Sequence, residues 1–372
     1  MTRKKKVNKK AVKNKKKTTK KKVAKKKTAK KKVTKKKTTK KKVAKKKTAK
    51  KKVSKKKTAK KKVAKKKVAK KKVAKKNSQS KDSLFDSIVE LIRITSTVIP
   101  DDVHKVITET LEREKEGTTA KYAMDIIEAN IKLAKTKSQP MCQDTGTILF
   151  FVSHPTEFSQ IAFMKIVNKA VVAATKKGYL RQNSVDTLTG ANTTMNLGPG
   201  HPSFHFHEHN KNTIEVKLML KGGGCENVGA QYALPNVSLN AGRDLDGVRK
   251  VILDAIVKAQ GKGCGPGVLG ITIGGDRGAG YVDSKEQLLR RLDDTSSIKE
   301  LSDLEKDIVL TANKLGIGPM GFGGTTTLLG CKIGVLNRLP ASYFVSISYM
   351  CWAYRRQGVS LGKSNEIKKW LY

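Results

Sequence analysis

The first 80 residues lack acidic and aromatic side chains, since the first acid is Asp82 and the first aromatic is Phe85. This segment nevertheless holds 45 of the chain's 81 lysines and arginines. Most of the formal net charge of +51 therefore comes from this segment, because residues 81–372 carry 36 basic and 30 acidic side chains. We expect a lysine-rich tail over 1–80 and a domain over 81–372, which is long enough to bury a proper core.

The sequence also has no long apolar run, and its number of cysteines is odd. No stretch reaches the roughly 18 apolar residues of a membrane-spanning helix. The basic N-terminus has no apolar segment behind it and little arginine, so we expect neither a secretory signal nor a transit peptide. The five cysteines are odd in number and widely spaced, which argues against a disulfide framework. These features predict a cytoplasmic protein with free or metal-binding thiols and no membrane partner.

The tail repeats KKKVA and KKKTA with a period of five from about residue 20 to 76. Five residues turn a helix by about 500°, so the valines and threonines build no apolar stripe. Its charge density predicts disorder in the free chain and salt-sensitive, sequence-independent binding to a polyanion. In composition the tail resembles those of linker histones and bacterial histone-like proteins. The possible partner is nucleic acid; the plainer alternative is a solvated extension that contacts nucleic acid incidentally.

Helical and strand patterns mix along the rest of the chain. Helical spacing predicts helices at 83–99, 101–117, 118–137, 158–177, 244–260, 284–292 and 300–315. Apolar runs predict strands at 147–152, 213–220 and 267–275, with another apolar segment at 343–350. The fold class expected is α/β (mixed α+β), with helices packed around a small sheet and glycine-rich loops.

Three cysteines stand where the chain changes direction. Cys142 and Cys264 each precede a predicted strand, and Cys351 ends an apolar run. Three thiolates so placed could converge on one metal cluster. Without a local CxxC motif, three buried structural cysteines remain the alternative.

Five motifs together resemble the α subunit, or N-terminal domain, of the iron–sulfur hydro-lyases, which include the oxygen-sensitive fumarases and the L-tartrate dehydratases. They are CQDTGT (142–147), KGGGCEN (221–227), the glycine-flanked Cys264 before GITIGG, GIGPMGFGGTTT (316–327) and CWAYRR (351–356). The resemblance implies a [4Fe-4S] cluster whose ligands are Cys142, Cys264 and Cys351. Cys225 and Cys331 are then not ligands.

Three thiolates leave one iron of such a cluster without a protein ligand, and that iron can act as a Lewis acid. Removing water from a 2-hydroxy acid also needs a base for the proton on the neighbouring carbon. Asp144, two residues after Cys142, is the candidate for proton transfer, and Gln143 would orient substrate or water. The turn at 145–147 would direct both side chains inward.

The resemblance also implies contacts for an anionic substrate. Arg181 matches a carboxylate clamp, for which a bidentate guanidinium is suited. Gly224 matches a backbone contact in the triple glycine, and Asn192 is a weaker candidate because LTGAN stands where the family often has an Asn–Thr–Gly motif. A family histidine about twelve residues before the third cysteine is replaced here by Leu339.

The alternating His205, His207 and His209 share one strand face and could bind zinc, although a half-exposed strand face is the preferred interpretation. The sequence predicts a fumarate hydratase α subunit that forms malate. An L-tartrate dehydratase α subunit is the nearest alternative, and a nucleic-acid-binding protein with an inactive hydratase domain is the second. A separate β subunit is expected, in an α₂β₂ heterotetramer, with a small dicarboxylate as substrate.

Overall fold

The computed structural model describes residues 83–372, where helices and strands mix along the chain as the sequence predicts. The predicted disorder of residues 1–80 lies outside the described residues. The helices are α1 (Ser83–Thr97), α2 (Asp101–Arg113), α3 (Thr119–Lys137), α4 (Gln160–Lys176), α5 (Gly223–Asn227), α6 (Leu245–Ala259), α7 (Arg277–Gln287) and α8 (Lys299–Asn313).

Residues 83–372 form two sheets, whereas the sequence predicted one small sheet. The strands of the first sheet, in spatial order, are β2 (Ser203–Glu208), β1 (Thr147–His154), β3 (Ile214–Lys221), β8 (Arg356–Leu361) and β9 (Ile367–Trp370). Those of the second are β4 (Ala230–Ala233), β7 (Phe344–Met350), β5 (Gly267–Gly274) and β6 (Leu328–Leu336). Pairs β1–β2 and β5–β6 are parallel, and the remaining pairs are antiparallel.

Strand β1 is buried on both faces, which explains its unbroken apolar sequence. Phe150 faces a core formed with α1 and α4, and Phe151 on the opposite face joins a larger core. That second core also contains the second sheet and apolar residues of α2, α3, α6 and α8. The first sheet is therefore a layer shared by two cores.

Helix ends follow local capping chemistry. The side chain of Thr118 accepts a hydrogen bond from the Lys121 backbone N–H at the start of α3. The Asp276 carboxylate accepts from the N–H groups of Gly278 and Ala279, so α7 begins at 277. The predicted bounds of 284–292 are wrong for this helix, because the Asp276 cap starts it at Arg277 and it ends at Gln287. Within residues 83–372 no helix has the length and apolar character required to cross a bilayer.

Candidate active site

Strand pairing brings the three cysteine-bearing loops to one place. Cys142 lies in the loop before β1, and the first residue of that strand pairs with the last residue of β3, Lys221. Cys264 precedes β5 and Cys351 follows β7, and these two strands pair with Val268 opposite Met350. Residues 351–355 then cross from the second sheet to β8 of the first sheet, beside β3. The loops therefore meet where the two sheets adjoin.

Hydrogen bonds tie these loops together directly. The Trp352 N–H donates to the Cys264 carbonyl at 3.3 Å, joining the second and third cysteine loops. The Arg355 Nη1 group donates to the Asp144 carbonyl at 2.6 Å, joining the third and first. The backbone carbonyl of Arg355 also accepts a hydrogen bond from the Leu220 N–H at 2.9 Å. Arg355 thus fixes the third cysteine loop against the first loop and against β3.

The Asp144 carboxylate is held by three donors. Its Oδ1 accepts from the Gly146 N–H at 2.9 Å and from the Asn183 Nδ2 at 3.2 Å. Its Oδ2 accepts from the Gly223 N–H at 2.7 Å, at the start of the triple-glycine turn. Such bonds fix the orientation of an acid that remains partly exposed. Gln143 beside it is exposed at the same surface.

Gly146 allows the first loop to pass close to β3. Its φ is +84°, and a Cβ at this position would lie 2.8 Å from the Lys221 carbonyl carbon and oxygen. Only glycine fits both the conformation and the space. The glycine in the CQDTGT motif is therefore required by close backbone approach, which places Asp144 against Gly223.

The thiols lie at different depths. Cys264 is exposed, Cys142 is half-buried and Cys351 is buried. Burial, together with the nearby Cys225, Cys142 and Asp144, raises the pKa of the Cys264 thiol. Cys225 is a further thiol near this place, since its charge acts on Cys264. The spacing of the cysteines does not predict this fourth thiol.

Cys225 and Cys351 are both buried, and the pKa of each thiol is shifted. The hydrogen bond from Cys351 and the charges of Lys221 and Arg355 outweigh burial and lower the pKa of Cys225 to about 7. The same hydrogen bond and burial raise the pKa of Cys351.

Lys221 is a fully buried lysine next to the thiols. Its Nζ lies 3.1 Å from the Glu226 carboxylate, which also pairs with Lys285 at 2.7 Å. Burial lowers the pKa of Lys221, although the Glu226 charge opposes the shift. The residue belongs to the KGGGCEN motif, but sequence reasoning missed it, because nothing local indicates that β3 ends inside the protein.

The predicted substrate-binding residues occupy different surroundings. Arg181 is exposed, and its backbone N–H and carbonyl both bond the Thr145 hydroxyl, so its loop lies beside the first cysteine loop. Gly224 is exposed in the triple-glycine turn. The Asn192 amide donates to the Gln182 carbonyl at 2.7 Å and closes its own loop. Another residue of this loop, Asn183, contacts Asp144 instead. Sequence reasoning missed this residue.

The three alternating histidines do not form a metal site. The ring of His205 stacks on Phe151, and His207 pairs with Glu286 at 3.1 Å. Among residues 83–372, no three His, Cys, Asp or Glu side chains are grouped to hold one metal ion. The preferred interpretation, a half-exposed face on β2, agrees with the burial pattern of that strand.

Leu339 lies away from the three loops. It is 74% exposed in the segment before β7, whereas Cys351 follows the other end of that seven-residue strand. A strand rises about 3.3 Å per residue, so roughly 20 Å of β7 separates them. The side chain at 339 therefore does not reach the site formed by its own chain.

Comparison with known proteins agrees with the family resemblance that the motifs carry. The sequence model of the fumarate hydratase (Fumerase) family matches residues 85–360. The chain belongs to this fumarate hydratase family. The match covers every loop described above.

Individual relatives differ in length and name. A protein of Geobacillus stearothermophilus, named as a candidate class I fumarate hydratase, is 50% identical over 295 residues, covering 78% of this chain and 57% of the relative. A candidate L(+)-tartrate dehydratase subunit alpha of Methanocaldococcus jannaschii is 34% identical, covering 73% and 95%. The L(+)-tartrate dehydratase subunit alpha of Escherichia coli K12 is 30% identical, covering 75% and 90%. The chain thus spans little more than half of the first relative and nearly all of the other two.

Proposed function

We propose that this chain is the α-type part of a hydro-lyase that adds water reversibly to fumarate to give malate. A [4Fe-4S] cluster would be held by Cys142, Cys264 and Cys351. The observation that carries the proposal is the meeting of three cysteine loops around Asp144 and the triple-glycine turn. The 50% identity to the Geobacillus relative favours fumarate over tartrate.

The surroundings of the thiols suit such a cluster. Sulfur is the donor that iron–sulfur clusters take. Positive charge from Arg355 helps to lower the pKa of Cys225 and opposes the rise that Cys225 and burial cause in the pKa of Cys351. Cys264 is exposed, so substrate can approach. When bound, the cluster supplies an iron without a protein ligand, which can act as a Lewis acid.

Residues of this chain would carry out proton transfer and substrate binding. Asp144 would exchange the proton on the carbon next to the hydroxyl-bearing carbon, with its orientation fixed by Gly223 and Gly146. Gln143 would orient the substrate or water, and Arg181 would clamp a carboxylate. The exposed backbone of Gly224 would offer a further contact. Asn192 could contact substrate only after its amide releases the Gln182 carbonyl.

Anaerobic reconstitution of the full chain with iron and sulfide tests this proposal. We expect a four-iron cluster whose EPR signal, after reduction, changes on titration with fumarate. Replacing any proposed ligand by serine should reduce bound iron, while Cys331→Ser, in the core away from the loops, should load like the parent. A loaded cluster that responds to L-tartrate and not to fumarate would select the tartrate alternative, and a folded chain that binds no cluster would reject both.

A separate β subunit is proposed as the partner, in a heterotetramer. The support is that two relatives covered over 90% or more of their length are named as alpha subunits. Turnover should require the β subunit, and light scattering of the mixture should give the mass of two copies of each chain. Full hydratase turnover by the reconstituted chain alone would contradict this dependence.

Non-specific nucleic-acid binding is proposed for residues 1–80. The support is their share of the charge, 45 of the 81 lysines and arginines with no acid. Neutralising phosphates releases counterions, so affinity should fall steeply with salt. The full chain should bind duplex DNA at low salt far more tightly than a chain beginning at Ser80. Equal binding by the two would reject this role, and DNA binding without any cluster would favour the inactive-domain alternative.

A further inference from the structure

Asn196 is a buried asparagine whose side chain holds the loop that carries Arg181. It is 2% exposed, and its φ of +60° is one that asparagine tolerates better than most residues. The side-chain Oδ1 accepts hydrogen bonds from the Asn183 N–H at 2.9 Å and from the Ser184 N–H at 3.1 Å. The Nδ2 group donates to the Arg181 carbonyl at 2.8 Å and to the Thr175 hydroxyl at 3.1 Å. Both hydrogens and both lone pairs of the amide are therefore used.

Asn196 is itself anchored to a helix and, through a histidine, to a strand. The Thr175 hydroxyl, in the last turn of α4, donates to the Val171 carbonyl at 2.8 Å, so it accepts from the amide. The Asn196 carbonyl, which can only accept, takes a hydrogen bond from the His201 Nδ1 group at 2.7 Å. The His201 Nε2 atom then accepts from the Ile148 N–H in β1 at 3.4 Å. The asparagine is thus fixed to α4 and β1, while its amide faces the loop.

The loop held by Asn196 contacts the proposed acid–base residue. The Asn183 Nδ2 group donates to the Asp144 carboxylate at 3.2 Å. The Arg181 backbone lies against the Thr145 hydroxyl, with its N–H at 3.3 Å and its carbonyl at 3.4 Å. Because Arg181 is held through its backbone, the bond from Asn196 fixes the point from which the exposed guanidinium side chain starts. One amide therefore connects the proposed carboxylate clamp with the proposed acid–base group.

We propose that Asn196 is a positioning residue for the hydratase reaction, one that touches no substrate but keeps the 181–184 loop in its working shape. With its amide in place, Arg181 is aimed at a substrate carboxylate and Asn183 stays on the Asp144 carboxylate. A misplacement of about 1 Å in a binding group costs up to about 10²-fold in rate, so a small relaxation of this loop is enough. The hold on the loop is independent of the proposed function, whereas its effect on turnover rests on it.

Hydrogen–deuterium exchange of the full chain, without a cluster, tests the hold on the loop. Asn196→Gly removes the amide, and glycine adopts the same positive φ without strain. Without their acceptor, the N–H groups of residues 183 and 184 should exchange about tenfold faster than in the parent, the factor that one hydrogen bond supplies. Asn313→Ala is the matched control, because its amide oxygen also accepts from two backbone N–H groups, those of Thr327 and Leu328, in another loop. Unchanged exchange in the Asn196 variant, or the same increase in the control, would overturn the proposal.

Kinetics of the reconstituted assembly with its β subunit test the positioning role. Asn196→Gly should lower kcat/KM for fumarate by about tenfold or more. Arg181→Met should cost less in the Asn196→Gly background than in the parent, because the clamp is already misplaced, and a general loss of stability does not produce such coupling. Fully additive effects of the two changes would reject the positioning role. If the parent assembly has no turnover, the proposed function fails, and the exchange experiment still decides whether Asn196 holds the loop.

Asn196→Asp covers the case in which the glycine variant does not fold. The carboxylate keeps acceptors for the N–H groups of residues 183 and 184, but it cannot donate to the Arg181 carbonyl or the Thr175 hydroxyl. The same fall in kcat/KM and the same coupling to Arg181→Met are expected. Kinetics like those of the parent in this variant would contradict the role of the amide.

Discussion

The carboxylate of Asp144 accepts a hydrogen bond from the Gly223 backbone N–H at 2.7 Å, although 79 residues separate the two in the chain. This bond joins the loop before β1 to the turn after β3. It places the proposed acid–base group beside the glycines proposed to face an anion.

Asp144→Asn should remove most turnover in the reconstituted assembly while the fold is retained. The amide keeps an oxygen acceptor for the Gly146 or Gly223 N–H but cannot take the proton, and acid–base groups contribute about 10²–10⁴-fold to rate. Steady-state kinetics would measure this as a fall in kcat. Asp186→Asn is the matched control, because that exposed carboxylate only closes a turn with Thr189. Unchanged kcat in Asp144→Asn would exclude the acid–base role.

Gly146→Ala should destabilise the fold and lower cluster content together. The strained backbone alone costs about 1–3 kcal/mol, and the new Cβ would also press on the Lys221 carbonyl. Gly178→Ala isolates the strain, since φ there is +77° and nothing lies within 4 Å of the added carbon. Urea unfolding should therefore show a larger loss for residue 146. Equal losses at both positions would mean that close approach to β3 is unimportant.

Asp102→Ala should be among the most destabilising single changes in the chain. Its carboxylate forms a salt bridge with Arg356 in which neither side chain is exposed, and it accepts from the Leu292 N–H at 2.8 Å. Leaving a buried guanidinium unpaired costs about 3–5 kcal/mol. Asp293→Ala breaks a largely exposed pair with Arg291 and should cost about 1 kcal/mol or less. Chemical denaturation of both variants measures the difference, and similar losses would contradict it.

Glu286→Gln should flatten the dependence of stability on pH. Burial raises the pKa of Glu286 even though His207 opposes the shift. The native state therefore holds this proton more tightly than the unfolded state. The resulting stabilisation is present at pH values below the ordinary pKa of glutamate, and it is lost as the pH rises through the raised pKa of Glu286. Urea unfolding from pH 4 to pH 7 would show a smaller decline in the variant; Glu208→Gln, an exposed change on β2, should follow the parent.

Much of the fold could be predicted because its signals are local. Apolar spacing located α1, and the unbroken apolar run located β1, each within a few residues. Strands β4, β8 and β9 were missed because they are short and carry polar or charged residues, so their pairing rather than their composition makes them strands. Strand β6 was also missed, although it is long and largely apolar.

The candidate site also combines features that local sequence predicts with features that depend on long-range packing. The motifs predicted which cysteines and which acid belong to it, since Cys142, Asp144 and Gly146 lie within five consecutive residues. The tertiary structure was needed to show that the Gly223 N–H bonds the Asp144 carboxylate and that Arg355 bonds its carbonyl. These contacts join segments far apart in the chain and depend on strand register, which no short stretch of sequence encodes. Local sequence thus supplies the chemical groups and the turns that carry them, whereas the long-range packing of two cores on one shared sheet sets which groups meet.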